Sequence, residues 1–156
     1  MNHSLKHRVQ QLGLELPEPS QPAASYVNHV RSQNLLFISG QIPLLQGQPA
    51  LLGRLGENLS PEQGAQAAEL AALGLLAQLS AALDDDLSRL RSISRLGVFI
   101  AASGDFQGHS GVANGASNLL VNALGDKGRH ARTAVGVASL PAGVAVEVDG
   151  IFELQP

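Results

Sequence analysis

The sequence predicts an α+β domain: one mixed β-sheet, two helices packed on one of its faces, and an extra short helix at the N-terminus. Three observations predict it. Several short segments alternate apolar and polar residues with period two. Two segments, 60–83 and 109–124, carry apolar residues at helical spacing. Their order is ββ-α-β-α-ββ, which favours one sheet with both helices on the same side. The chain of 156 residues is one domain's worth, read as a single domain over 1–156 with 1–13 as a helical extension.

The elements follow in order. Residues 4–12 read as a short, mobile helix: Leu5, Val9 and Leu12 share a face, Ser4 can cap it and Gly13 stops it. His3 and His7, at helical spacing there, are read as solvent-facing rather than as a metal pair. Three prolines between Leu16 and Pro22 force an extended run. A hairpin is expected next, with strands at 24–30 and at Leu35 to Ser39 and a turn at Arg31 to Asn34. Gly47 to Gly56 reads as a loop, and it lacks the Gly-x-x-x-x-Gly-Lys pattern of a phosphate loop.

Ser60-Pro61-Glu62-Gln63 then combines a cap, a proline at the first helical position and a glutamine three residues on. The Ala- and Leu-rich stretch to Leu83 makes the long helix. Asp84-Asp85-Asp86 ends it as a solvated turn, without calcium-loop spacing. Residues 92–102 form a strand. A second helix covers 109–124, with Val112, Ala116, Leu119 and Ala123 inward, His109 at its start and Gly125 as its stop. Strands at 132–138 and 144–152 close the chain around Leu140-Pro-Ala-Gly143.

Composition narrows the functional classes. There are no cysteines, so disulfides, thiolate metal sites and thiol nucleophiles are excluded. Thirteen acids against ten bases leave a net charge of −3, which gives polyanions no broad attraction. One tyrosine, four phenylalanines and no tryptophan are few for stacking nucleic-acid bases. No membrane span is expected, because the longest run without a polar side chain, Leu70 to Ala77, is eight residues. No apolar leader follows the charged first fifteen residues, and a cytoplasmic location is the expectation. Ser25, Ser39 and Ser103 have no histidine–aspartate partners that make a hydrolytic triad.

The last two strands, read as a hairpin, suggest a site. Thr133, Val135 and Val137 alternate with Arg132, Ala134, Gly136 and Ala138. Val144, Val146, Val148 and Phe152 alternate with Ala145, Glu147, Asp149 and Ile151. If the valine faces coincide on the helices, Arg132 and Glu147 share the opposite face among small residues. A second subunit is expected to cover that bland face, leaving a polar pocket. An interface ion pair and a functional pair are equally good readings at this point.

Four segments carry a resemblance. They are Leu36-Phe-Ile-Ser-Gly-Gln-Ile-Pro43, Asn58-Leu-Ser-Pro-Glu-Gln-Gly64, Arg132-Thr-Ala-Val-Gly-Val-Ala-Ser-Leu-Pro141 and Val146-Glu-Val-Asp149. With Tyr26, they resemble the RidA/YjgF family of imine deaminases over roughly residues 14–154. Val112-Ala-Asn-Gly-Ala-Ser117 and Gly128-Arg-His-Ala-Arg132 resemble a longer subgroup of it. The resemblance implies a chorismate-mutase-like fold, a homotrimer with pockets between subunits, and hydrolysis of 2-aminoacrylate and related imines to 2-oxo acids and ammonia. It implies that Arg132 grips the substrate carboxylate and that Glu147 stands beside the attacking water. Ser39, Gly40 and Tyr26 would line the cleft, with Asn114 matching a helix asparagine. Three positions depart from the family pattern: Ala24-Ser25-Tyr26-Val27 replaces Gly-Pro-Tyr-Ser, Ala134 stands where a cysteine is common, and Ser117 replaces a helix tyrosine. Apart from the resemblance, His130, two residues before Arg132, is read as a structural residue sooner than as part of the pocket rim.

The chemistry agrees with that assignment. Arginine holds a carboxylate with two parallel hydrogen bonds. A glutamate can orient water, take its proton and pass it on. A protonated imine is already electrophilic, so neither a metal nor a cofactor is called for. The expected partners are a small 2-imino or 2-oxo acid and two further copies of the chain, with no nucleic acid or membrane. The alternatives are a trimer that only binds such carboxylates and, ranked lower, a ribonuclease. A chorismate mutase comes last, because a dianionic substrate would want more than one cation.

Overall fold

The computed structural model describes residues 2–156. Helix α1 (Leu5–Gln11) is capped by Ser4, whose hydroxyl accepts from the His7 N–H, and it buries Leu5 and Val9. It is not mobile. The Asp85 carboxylate accepts from Ser4 Oγ at 2.6 Å, from the Lys6 N–H at 3.0 Å and from Ser80 Oγ at 2.9 Å. The expected solvated turn therefore fails at its centre. Asp84 and Asp85 adopt left-handed φ values of 54° and 57°, which fold the turn back onto the start of α1. His3 and His7 are exposed as expected.

The segment before the first hairpin stays irregular for longer than the sequence suggests. β1 is only His29–Ser32, rather than 24–30, and β2 is Leu35–Gln41. Gln33, at φ 53°, makes the turn between them. Val27 and Asn28 are held beside β2 instead, through Ser39: its N–H donates to Asn28 O at 2.9 Å and its hydroxyl to Val27 O at 2.7 Å. The expected loop contains part of a small hairpin, β3 (Leu44–Leu45) with β4 (Gln48–Pro49).

Helix α2 (Pro61–Ala82) opens with a complete capping box between Ser60 and Gln63. By length and composition α2 could span a membrane, yet 56% of its most apolar window is buried inside the fold. β5 (Leu90–Ala101), α3 (His109–Leu124), β6 (Ala131–Val137) and β7 (Val146–Leu154) complete the chain.

The sheet order is β1-β2-β7-β5-β6, with β6 parallel to β5 and the other pairs antiparallel. The last two strands are therefore not a hairpin. α3 is the crossover that a parallel pair needs, so it places β6 directly beside β5. The chain then steps past β5 and inserts β7 at the sheet centre.

This corrects the expected registry. Ile100 pairs with both Gly136 and Val146, so the Val146 face is the face of Arg132, Ala134 and Gly136. Phe99 pairs with both Val135 and Glu147, so Glu147 shares the opposite face with Val135. Arg132 and Glu147 lie on opposite sides of the sheet, two strands apart.

One face of the sheet carries the helices. Leu96, Val98 and Ile100 of β5 and Val146, Val148 and Phe152 of β7 form one buried cluster with Ala71 and Leu75 of α2 and Val112 and Ala116 of α3. The small residues of β6 lie on this covered side, where Ala134 packs against the core and a Cβ on Gly136 would press on the His109 ring. Ala145, expected on an open face, is fully buried. The open face instead carries Val30, Phe37 and Val135, which are 54%, 40% and 41% exposed.

Candidate functional site

The expected site residues gather in two groups. The first stands on the edge strand β6. Arg132 points towards α3, where its Nη1 donates to Asn114 Oδ1 at 2.9 Å and to Ser117 Oγ at 3.1 Å. Asn114 and Ser117 are three residues apart on the helix and so share a face. Ser117 Oγ lies 2.9 Å from His130 Nε2, and His130 Nδ1 lies 2.6 Å from the Gly128 carbonyl oxygen. Among the described residues, Arg132 Nε and Nη2 have no acceptor, and the side chain is only half-buried. That free edge has the two-pronged geometry a carboxylate fits.

The second group stands on the open face. β2 bulges against β7: Ile38 pairs with Gly150 and Gln41 with Val148, so Ser39 and Gly40 together oppose Asp149. A bulge of this kind re-aims the chain next to a site. The Glu147 carboxylate lies against Gly40, and a Cβ there would collide with it. Tyr26 directly precedes the segment, Val27 and Asn28, that is tied to Ser39. Its ring is 48% exposed and its hydroxyl accepts from the Ala23 N–H at 3.2 Å.

Burial raises the affinity of Glu147 for its proton, and the neighbouring Asp149 charge adds to the effect. Within one chain no arginine offsets this rise. Asp149 is raised too, again mainly by burial, against a lowering by Arg95. Arg95 Nη1 stands 3.9 Å from Asp149 Oδ1, a buried oxygen with no hydrogen-bond donor. Asp149 was not singled out in the sequence, although the Glu-x-Asp spacing on one strand already places both acids on one face. A carboxyl group shifted towards neutrality beside a glycine-lined bulge is a candidate proton carrier.

The structure thus joins Arg132 to Asn114, and Glu147 to Gly40, with Ser39 in the same bulge. It does not join the two groups within one chain. His109 opens α3, with its ring edge-on to Phe106 at a centroid distance of 5.2 Å. Among the described residues, no cluster of three histidine or acidic side chains could hold a metal ion.

A mixed sheet with its helices on one face is the architecture of the class. The family profile described as "YjgF/chorismate_mutase-like, putative endoribonuclease" matches residues 6–149, and the chain belongs to that family. Protein TCP17 of Trypanosoma cruzi is 45% identical over 148 residues, covering 94% of this chain and 92% of that protein. The crystal structure of Atu1372 from Agrobacterium tumefaciens superposes with a TM-score of 0.91 at 43% identity, over 97% of this chain and 92% of that one. A Shewanella oneidensis structure, whose name repeats the nuclease of the family description, gives 0.92 at 32% identity, over 97% and 99%.

Proposed function

We propose that the protein hydrolyses small 2-imino and enamine carboxylates of the 2-aminoacrylate type to 2-oxo acids and ammonia, at sites completed between subunits of a homotrimer. The observation that carries this reading is Arg132, anchored through Nη1 and left with an unused Nε/Nη2 edge. Because Glu147 lies on the other face of the sheet, the Arg132 group of one subunit works with the Glu147, Ser39, Gly40 and Tyr26 group of another. The half-exposed apolar residues of the open face supply a surface for that contact.

The enamine first tautomerises to the 2-imino acid, whose carboxylate docks on Arg132. Glu147 takes a proton from water as the oxygen adds to the imine carbon. It returns that proton to the nitrogen of the carbinolamine; as the C–N bond breaks and ammonia leaves, Glu147 takes the hydroxyl proton so that the C=O forms, and ammonia carries that proton away as ammonium. The nuclease named in the family description is the second reading. A net charge of −3 and five aromatic side chains give a nucleic acid little to hold.

The test has two arms. Pyruvate release from 2-aminoacrylate made in situ should exceed the buffer rate, and no acceleration across several imino acids would sink the enzyme reading. Inactive Arg132→Ala and Glu147→Ala chains, mixed during assembly, should recover about a quarter of wild-type activity, because one site in each mixed trimer is intact. No recovery would sink the shared site.

A further inference from the structure

We infer that Ser117 and His130 are positioning residues that aim the free edge of Arg132 at the ligand through a one-way hydrogen-bond chain. The inference rests on the carboxylate grip proposed above and adds to it the device that holds the grip in place.

The direction of the chain follows from donor and acceptor chemistry. The Gly128 carbonyl can only accept, and His130 Nδ1 lies 2.6 Å from it, so Nδ1 carries the proton. In the neutral ring Nε2 is then a lone pair. Ser117 Oγ, at 2.9 Å, must point its hydroxyl proton there. With its proton committed, the Ser117 oxygen meets Arg132 as an acceptor, at 3.1 Å from Nη1. A guanidinium can only donate, so each link supports the next without conflict.

The consequence is geometric. Asn114 and Ser117 take both N–H bonds of Nη1, which prevents the guanidinium from rotating about its last bonds. The Nε/Nη2 edge is left facing outwards. An arginine ordered before binding loses less freedom when a carboxylate arrives. The chain passes through Ser117 and His130, both half-buried, and both are side chains the deamination chemistry does not itself require.

The test uses the full-length protein with pyruvate as the probe. Its dissociation constant would be measured for wild type, Ser117→Ala, His130→Ala, the double variant and His130→Gln. The Arg132 Nε–H signal would be followed by NMR without ligand. Ser117→Ala and His130→Ala should each weaken pyruvate binding roughly three- to tenfold, the worth of one such hydrogen bond. The double variant should lose no more than either single one, because both break one chain. His130→Gln, whose Oε1 can accept the Ser117 proton, should restore most of the affinity. In the alanine variants the Arg132 signal should broaden or vanish through faster exchange.

Unchanged pyruvate affinity in both alanine variants would overturn the inference, and so would additive losses. If the wild type binds no pyruvate or other 2-oxo acid, the carboxylate grip itself fails. The Arg132 signal then still decides the chain: a signal indifferent to Ser117→Ala would overturn it. Should His130→Ala fail to fold, Ser117→Ala and His130→Gln carry the test.

Discussion

Asp85 and Glu147 are both acids drawn partly out of water, and their surroundings push them in opposite directions. Burial tends to raise Asp85, but hydrogen bonds from Ser4, the Lys6 N–H and Ser80 outweigh it and hold the carboxyl below its usual range. Burial also raises Glu147, and nothing answers it: the next influence is the like charge of Asp149. Asp85 is a finished structural joint that locks α1 onto the body. Glu147 is a charge left uncompensated inside its own chain, and such groups concentrate where a ligand or another subunit supplies what is missing. The contrast lies in the donors rather than in the depth of burial.

The largest effect that can break this contrast is catalytic. Glu147→Gln keeps the size of the side chain and cannot accept a proton. Turnover of 2-aminoacrylate should fall by roughly 10²–10⁴-fold, the usual worth of general acid–base help. Pyruvate affinity should hardly change, because the carboxylate grip is elsewhere. Near-normal turnover would make Glu147 an ordinary desolvated acid. Arg132→Lys comes next. It keeps the charge and loses the two-pronged edge, so binding should weaken about ten- to a hundredfold. Calorimetry showing equal affinity for the lysine variant would remove Arg132 from the site.

The elements and the site residues were legible in the sequence to different degrees. Local signals sufficed for α2 and α3: the capping box at Ser60 and the stop at Gly125 are written in neighbouring residues. Strand order was not legible. Leu140 to Gly143 reads like a hairpin loop, yet the stretch from Val137 to Val146 is long enough to step over β5. Alternation along β6 and β7 gave each strand two faces without saying which faces coincide, because both choices put small or branched residues inwards. One intervening strand reversed the pairing of Arg132 with Glu147. The motif resemblance names Arg132 and Glu147 independently of that register, so the corrected pairing changes where they stand and not which residues are proposed. The Ser39–Gly40 bulge and the Ser117–His130 link depend on contacts between distant segments, and no spacing within one segment encodes them.

The structural side of the contrast can be broken at Asp85. Asp85→Ala removes three hydrogen bonds and frees the start of α1. A loss of about 1–3 kcal/mol is expected in urea unfolding at neutral pH. Activity of the folded fraction should be unchanged. The sign with pH is fixed by the lowered carboxyl. Its contribution is present above the ordinary carboxylate range and fades as pH falls through its own, lower value. Wild type and Asp85→Ala should therefore converge in acid. A gap that stays constant down to strongly acidic pH would mean that α1 is held by Leu5 and Val9 alone.

The smallest effect sharpens the other side. Carboxyl NMR should show Glu147 titrating above the ordinary range and Asp85 below it. Within one chain no cation counters the rise at Glu147; in the assembled protein the proposed neighbour is Arg132 of another subunit. Arg132→Ala should then move the Glu147 titration further upwards, because an opposite charge that favours the ionised form is gone. The Asp85 titration should stay where it was, since its donors all lie within its own chain. A Glu147 titration indifferent to Arg132→Ala, in a protein still assembled, would separate the two groups and leave each as half of a different site.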